Sequence, residues 1–170
     1  MNSIENVANK IQTLDIKSMN LMDYKPTVKF KDFDLAPYLY KGLILKEKEF
    51  KENMERVDWS VYKGTAVSLF CAIDAIIPQW VYMYIAAKLS SFTDLISCKH
   101  QREYLMDLWI EEIKKNDFEY LRGQKVVLKA NPQIPEAIYI GATNILLTYR
   151  VKALMYGEIG MPKVVFKQID

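Results

Sequence analysis

Cys71 and Asp74 are the residues whose types and spacing come nearest to an active site. They lie in the segment CAIDAIIPQWVYM (71–83), which begins just after an apolar run. Within this segment, Pro78 opens a predicted helix. A cysteine thiolate can act as a nucleophile, and a carboxylate can serve as general acid, general base or metal ligand. The alternative is structural, with Cys71 as a small buried residue at a strand end and Asp74 as a cap on the following helix. Both interpretations stay open at this point.

The rest of the sequence offers no complete set of catalytic or metal-binding residues. A base for Cys71 would have to be His100, the one histidine, which follows a different predicted strand. Cys98 and His100 form a Cys-x-His pair, but a structural zinc site needs about four ligands. Gly64 and Gly123 precede strands, whereas dinucleotide-binding glycines follow them, and no Gly-x-Ser-x-Gly turn is present. We therefore predict no metal and no cofactor, and the catalytic residues stay unknown.

An internal repeat shows which elements position the Cys71 segment. The stretch DWSVYKGTAVSL (58–69) aligns without a gap with DFEYLRGQKVVL (117–128). Further along, IIPQWVY (76–82) aligns with QIPEAIY (133–139), after two extra residues in the first copy. The same residue types in the same order favour a duplication or a shared scaffold.

Each copy is predicted to contain a helix, a glycine turn, a strand, a second helix and a second strand. Apolar residues at helical spacing mark the first helices, namely Phe50, Met54 and Val57 in one copy and Met106, Trp109, Ile110 and Ile113 in the other. The second helices are expected over 78–92 and 135–150, each opened by a proline, which suits a first helical turn. The strands are expected at 66–72, 94–98, 126–128 and 153–156.

The predicted fold class is α/β, because strands joined by helices imply parallel pairing. We expect a three-layer sandwich with a mostly parallel sheet, built from two similar helix-strand-helix-strand units, plus a small N-terminal β segment. The predicted organisation is one domain, 1–170, which comprises an N-terminal arm 1–40, repeat units 46–98 and 105–156, and a C-terminal strand 163–168. Within the C-terminal strand, residues 164–166 are expected to form an antiparallel edge strand. Weaker strands at 13–16 and 28–30 would form a separate ribbon or pack on the sheet edge.

Ligands of open α/β sheets bind beyond the carboxyl ends of the strands. This rule selects the loops 71–77 and 130–134, with 157–161 as a third candidate, and a pseudo-twofold relation would let the first two loops face each other. The candidate ligand-binding residues are Cys71, Asp74, Ala130, Asn131, Glu136 and Glu158. Cys71 and Asp74 are also the candidates for catalysis.

Composition excludes several classes of partner. The 23 basic and 21 acidic residues leave a net charge of +2, too balanced to attract nucleic acid strongly. The most hydrophobic stretch, 66–89, is interrupted by polar residues, so no membrane association is expected. Two cysteines and no recognisable export signal favour a cytoplasmic protein without a disulfide.

Several segments together resemble a bacterial family of uncharacterised proteins, the domain-of-unknown-function family 2480. The resemblance runs from about Tyr40 to the C-terminus. It rests on KGLILKEKEFKENM, DWSVYKG, VSLFCAIDAIIPQWVYM, KVVLKANPQIPEAIY and KALMYGE. No activity can be transferred, because the family has none established.

The resemblance does imply a possible metal or iron–sulfur site in relatives. They often carry a cysteine at the Cys71 position, a second in a Gly-Cys after the next repeat's strand, and a third after Met-Tyr-Gly-Glu. Here the second position falls at Ala130–Asn131 and the third near Ile159–Gly160, so such a site would be mostly lost. Family genes also lie near genes of iron–sulfur assembly.

Two functions follow as hypotheses. The first is a non-enzymatic cytoplasmic binding or accessory protein with an unknown protein partner, associated with iron–sulfur cluster assembly. The alternative is a small enzyme with a strand-end pocket that uses Asp74 and Cys71 on a small ligand. A homodimeric scaffold is a third possibility, and whether the chain is an enzyme stays open.

Overall fold

The described chain is an α/β protein, which confirms the predicted class. A computed structural model describes residues 16–158 and 160–169. The strands there are β1 (Ile16–Met19), β2 (Lys29–Asp34), β3 (Thr65–Phe70), β4 (Ile96–Ser97), β5 (Lys125–Lys129), β6 (Ala153–Gly157) and β7 (Lys163–Lys167). The α-helices are α1 (Glu47–Met54), α2 (Gln79–Leu89), α3 (Gln101–Lys114) and α4 (Glu136–Thr148).

The described strands form two sheets, where one mostly parallel sheet was predicted. One sheet has the order β1-β5-β6-β7 and the other β2-β3-β4. The pairings between the named strands are parallel except that of β6 with β7, which is antiparallel as expected for the last strand. The sequence could not separate the sheets, because β3 and β5 carry the same pattern and pairing partners lie far away along the chain. The three-layer arrangement stays a prediction.

The two N-terminal strands join different sheets. β1 pairs with β5, with Ile16 opposite Lys125, and β2 pairs with β3, with Lys29 opposite Thr65. Among the described strands each lies at the edge of its sheet, as predicted for packing on a sheet edge, and β1 and β2 do not pair with each other as a ribbon. Residues 13–15 of the first predicted strand lie outside the described part of the chain.

The chain divides into two compact units. The central unit is Thr27–Leu105, and the terminal unit combines the residues up to Pro26 with those from Met106 onward. Each unit has its own buried core. The core of the central unit comprises Phe33, Leu35, Phe50, Met54, Val67, Leu69, Val81, Ile85 and Leu89. The core of the terminal unit includes Leu21, Trp109, Ile113, Phe118, Val126, Leu128, Ile138, Ala142, Leu146 and Leu154.

The helices bury part of each apolar stripe that the sequence predicts, whereas Val57, Met106 and Ile110 are only partly buried. In α1, Phe50 and Met54 are fully buried, and in α3 Trp109 and Ile113 are buried. Helices α2 and α4 begin one residue later than predicted, because Pro78 and Pro135 are their N-cap residues, with extended backbone. Of the helices in the described ranges, none has the length and apolar character needed to cross a membrane.

The two central strands, β3 and β5, are entered through the same local structure. The carboxylates of Asp58 and Asp117 accept hydrogen bonds from the backbone N–H two residues later, at 3.0 and 2.9 Å. A 3₁₀ turn follows in each case, and Gly64 and Gly123 then adopt φ of +66° and +67°. Each glycine N–H donates, at 3.1 Å, to a carbonyl beyond the next helix. The segments aligned in sequence therefore have a common backbone form.

Alanine at either of these glycines is expected to lower the free energy of unfolding by about 1–2 kcal/mol, because a side chain disfavours positive φ. No atom lies within 4 Å of an added Cβ at Gly64 or Gly123, so the loss would come from the backbone alone. Arg150→Gly is the matched control, since Arg150 has φ +55° and should gain stability. Urea denaturation measures all three, and an unchanged midpoint in both alanine variants would contradict the argument.

Candidate functional site

The loop that follows β3 is held at its start by Asp34, at the end of β2. One carboxylate oxygen of Asp34 accepts hydrogen bonds from the N–H of Ala72 and the N–H of Ala36, both at 2.9 Å. The N–H of Leu35 also donates to the carbonyl of Phe70, at 2.8 Å. The end of β2 therefore fixes where the chain leaves β3, a role that the sequence did not reveal.

This loop lines a cavity of about 710 Å³ within the central unit, the central cleft. Cys71 is half-buried and Cys98 is exposed, and both are free thiols. The lining residues are Leu69, Phe70, Cys71, Ala72, Ile73, Asp74, Ala75, Ile77, Gln79, Tyr82 and Cys98. The cleft therefore brings together Cys71 and Asp74 with a second cysteine that the sequence placed on a different strand end.

Asp74 does not cap helix α2, contrary to the structural interpretation. The N-cap residue is Pro78, and no side chain caps that helix end. Asp74 is exposed, and it lies four positions before Pro78, the N-cap of the helix. The carboxylate is left at the mouth of the cleft, where it could meet a ligand.

Tyr82 lies on α2 and lines the same cleft. The pKa of its phenol is raised, first by burial and then by the nearby thiols of Cys98 and Cys71. The phenol is therefore neutral at pH 7 and lies near both sulfur atoms. His100 does not line this cleft; it is exposed and its ring packs on Phe70 at a centroid distance of 5.9 Å.

A second cavity, of about 650 Å³, lies within the terminal unit and is called the terminal cleft. It is formed by the loop after β5, the first turns of α4 and strands β6 and β7. The lining residues are Leu128, Asn131, Pro132, Ile134, Glu136, Tyr139, Ile140, Thr143, Asn144, Met155, Tyr156, Val165 and Phe166. The walls are mostly apolar and aromatic, with a few polar groups, which is typical of small-molecule sites.

Tyr139 fixes the shape of the terminal cleft. Its hydroxyl donates to the carbonyl of Lys129 at 2.9 Å and accepts from the N–H of Asn131 at 3.0 Å. Its ring meets Tyr156 edge to face, with centroids 5.2 Å apart. Burial raises the pKa of Tyr139, although the hydrogen bond from Asn131 acts in the opposite direction. The neutral phenol therefore ties helix α4 to the loop after β5 and leaves ring surface for a ligand.

The charge that the described lining residues bring to the terminal cleft is negative. Among the described residues that line it, Glu136, exposed in the first turn of α4, is the single carboxylate, and none is a lysine or arginine. Thr143 and Asn144 on α4 add neutral polar groups. The arrangement suits a ligand with an apolar or aromatic body and a cationic or hydrogen-bond-donating group.

The candidate residues divide between the two clefts. Cys71 and Asp74 line the central cleft, and Asn131 and Glu136 line the terminal cleft, whereas Ala130 and Glu158 line neither. The loops 71–77 and 130–134 belong to different units and different sheets. Of the third loop, Ile159 lies outside the described residues.

The tyrosines of both clefts are not among the candidate residues that the sequence predicts. A signal was present, since Tyr82 and Tyr139 occupy the same position of the internal repeat. Each lies one helical turn after the proline and lines a cleft at the end of its central strand. Tyr156 and Phe166, by contrast, come from outside the aligned segments and carried no such signal.

The comparisons with known proteins give a family and no activity. Within the described residues, no group of three or more His, Cys, Asp and Glu side chains could hold a metal ion. No curated protein and no solved structure matches the chain. Residues 5–168 match a family described as "Protein of unknown function (DUF2480)". The chain therefore belongs to the DUF2480 family, as its sequence motifs predicted.

Proposed function

We propose that this protein is a non-enzymatic binding protein whose ligand site is the terminal cleft. The observation that supports the proposal is the combination of an apolar cavity of about 650 Å³ with a single carboxylate at its wall. Cavities of about 300–1,000 Å³ with this character hold small organic ligands. The expected ligand is a small molecule with an apolar or aromatic body and a protonated amine.

Aromatic surface would supply much of the affinity. Tyr139 and Tyr156 stand nearly perpendicular to each other, at 80°, so a planar group can meet the face of one ring and the edge of the other. The Tyr139 hydroxyl is already hydrogen-bonded twice, so its ring is fixed before a ligand arrives. A preformed wall lowers the entropy that binding costs.

The Glu136 carboxylate would supply selectivity for charge. A cation paired with an exposed carboxylate gains about 0–1 kcal/mol, and somewhat more where a ligand excludes water from the pair. An anion of the same body would lose a similar amount. Charge, and not only shape, should therefore decide which ligands the cleft accepts.

The test uses two probes with similar bodies and opposite charges, phenethylammonium and 3-phenylpropionate. In two-dimensional NMR spectra of the full chain, phenethylammonium should shift signals of Tyr139, Thr143 and Tyr156. It should bind about tenfold more tightly than 3-phenylpropionate, which corresponds to ~1.4 kcal/mol. Glu136→Gln should remove most of that preference while both probes still bind, because the apolar walls remain.

Glu158→Gln is the matched control for charge. Glu158 is also exposed and lies close to β6, but it does not line the cleft. Its loss should leave the preference for phenethylammonium unchanged. Equal binding of both probes to the native chain, or an equal effect of the two glutamine variants, would refute the proposal.

A small enzyme at the central cleft is the second candidate. The observation that favours it is that Cys71, Asp74 and Cys98 line one cavity of about 710 Å³. In that function Cys71 would be the nucleophile and Asp74 would accept a proton. Against it, the one histidine of the chain packs on Phe70 and does not line the cleft.

The remaining expectations stay predictions. The link to iron–sulfur assembly, an unknown protein partner, a homodimer and a cytoplasmic location are carried by the family resemblance and the composition. We also propose that the two repeat units, 46–98 and 105–156, derive from one scaffold. The shared carboxylate cap, positive-φ glycine and proline N-cap support that origin.

A further inference from the structure

Two thiols lie at neighbouring strand ends in the central unit. Cys71 is the first residue after β3 and Cys98 is the first after β4, and these strands are parallel neighbours. The pairing ends with Ser68 opposite Ser97, so Cys98 follows beside Leu69, two residues before Cys71. Because side chains alternate between faces, Leu69 and Cys71 point to the same face as Cys98.

The distance expected between the two Cα atoms suits a metal ion that bridges the two sulfur atoms better than it suits a disulfide bond. Strands lie about 4.8 Å apart and rise about 3.3 Å per residue, which places the two Cα atoms roughly 8 Å apart. A disulfide needs Cα atoms within about 4.4–6.8 Å. A metal ion with two bonds of about 2.3 Å to sulfur can span the additional distance. The two cysteines are unpaired in the structure.

Both thiols lie in the wall of the central cleft, a cavity large enough to hold a ligand. Cys71 and Tyr82 pack against the core of the central unit, and Cys98 closes the same cavity from the next strand. The phenol of Tyr82 is close enough to both cysteines for their charges to raise its pKa. The proximity of the two sulfurs is therefore supported by the shared cavity and by the strand register.

We propose that Cys71 and Cys98 together bind one soft monovalent cation, with Cu(I) as the best match. Thiolates select soft metals, and Cu(I) is among those that they favour. Zinc needs about four ligands, and the described residues contain no group of three or more candidate ligands. Binding converts two thiols and one Cu(I) into a two-sulfur complex and releases two protons, so affinity should rise with pH.

This inference does not depend on the terminal cleft. The hard oxygen of Asp74 is not required as a ligand, because soft cations prefer sulfur.

The test titrates the fully reduced chain with Cu(I) under anaerobic conditions, with bicinchoninate as a coloured competitor. One Cu(I) per chain is expected, and X-ray absorption should show two sulfur neighbours. Cys71→Ser and Cys98→Ser should each weaken the competition by at least the roughly 10–100-fold that loss of an outer-shell partner costs, because each removes a direct ligand. Tyr82→Phe is the matched control, since it changes the same cleft wall and keeps both thiols.

Two results would overturn the proposal. One is a single-cysteine variant that competes for Cu(I) as well as the native chain. The other is a stoichiometry of two, which would mean that each thiol binds copper independently. Thermal unfolding of each metal-free variant is measured beside the titration, so that a folding defect is recognised. A variant that is unfolded is replaced by the corresponding cysteine-to-alanine variant.

Discussion

Trp109→Ala should lower the free energy of unfolding by about 5 kcal/mol, the largest effect that we expect in the terminal unit. Trp109 is fully buried, and removal of such a ring leaves a cavity that costs about 3–5 kcal/mol. Its indole N–H also donates to the carbonyl of Leu21 at 2.9 Å. Loss of that donor removes a buried hydrogen bond, which costs about a further 0.5–1.5 kcal/mol.

The variant Trp109→Phe separates the two contributions. It keeps most of the ring volume and loses the hydrogen bond, so about 0.5–1.5 kcal/mol is expected. Urea denaturation followed by circular dichroism measures both variants, and hydrogen exchange of the β1 and β5 amides locates the loss. If alanine costs no more than phenylalanine, the packing of Trp109 is not what holds the terminal core.

Phe50→Ala should be the most damaging single change in the central unit, at about 3–5 kcal/mol. Phe50 on α1 is fully buried. Its ring meets those of Tyr38, Trp80 and Tyr84 at centroid distances of 6.3, 5.8 and 5.9 Å. Edge-to-face aromatic contacts add about 0.5–1.5 kcal/mol beyond the burial of area.

Phe50→Leu is the control for this cluster. It keeps an apolar side chain of nearly the right size and removes the aromatic contacts, so about 1–2 kcal/mol is expected. Chemical denaturation should rank native, leucine and alanine in that order. Equal losses for leucine and alanine would show that the aromatic contacts, rather than the filled volume, dominate.

Local patterns in the sequence predicted the elements of the fold but not their partners. The stripe of Phe50 and Met54 and the continuous apolar strand at 66–72 were sufficient to place α1 and β3 within a few residues. Strand pairing depends on residues far apart in the chain, which a local pattern does not encode. The division into two sheets, and the assignment of β1 and β2 to different sheets, therefore appeared only in the structure.

Topology alone was enough to predict part of the candidate site. The rule that ligands lie beyond strand ends located Cys71, Asp74, Asn131 and Glu136 at cleft walls. The cap role of Asp74 was wrong, because a proline N-cap ended the loop in extended backbone. Cys98 joined the central cleft through the parallel pairing of β3 with β4; the helix between the two strands implied that pairing, but the sequence did not give the register that places Cys98 near Cys71.

The pairing of β1 with β5 also sets an order of events during synthesis. Ile16 pairs with Lys125, so the first strand leaves the ribosome roughly a hundred residues before its partner exists. At about 5–20 residues per second, this delay is on the order of 5–20 s. The central unit lies between them and contains both partners of β3, so it can fold while β1 waits as an unpaired strand. Pairing of β1 would then coincide with completion of the second sheet.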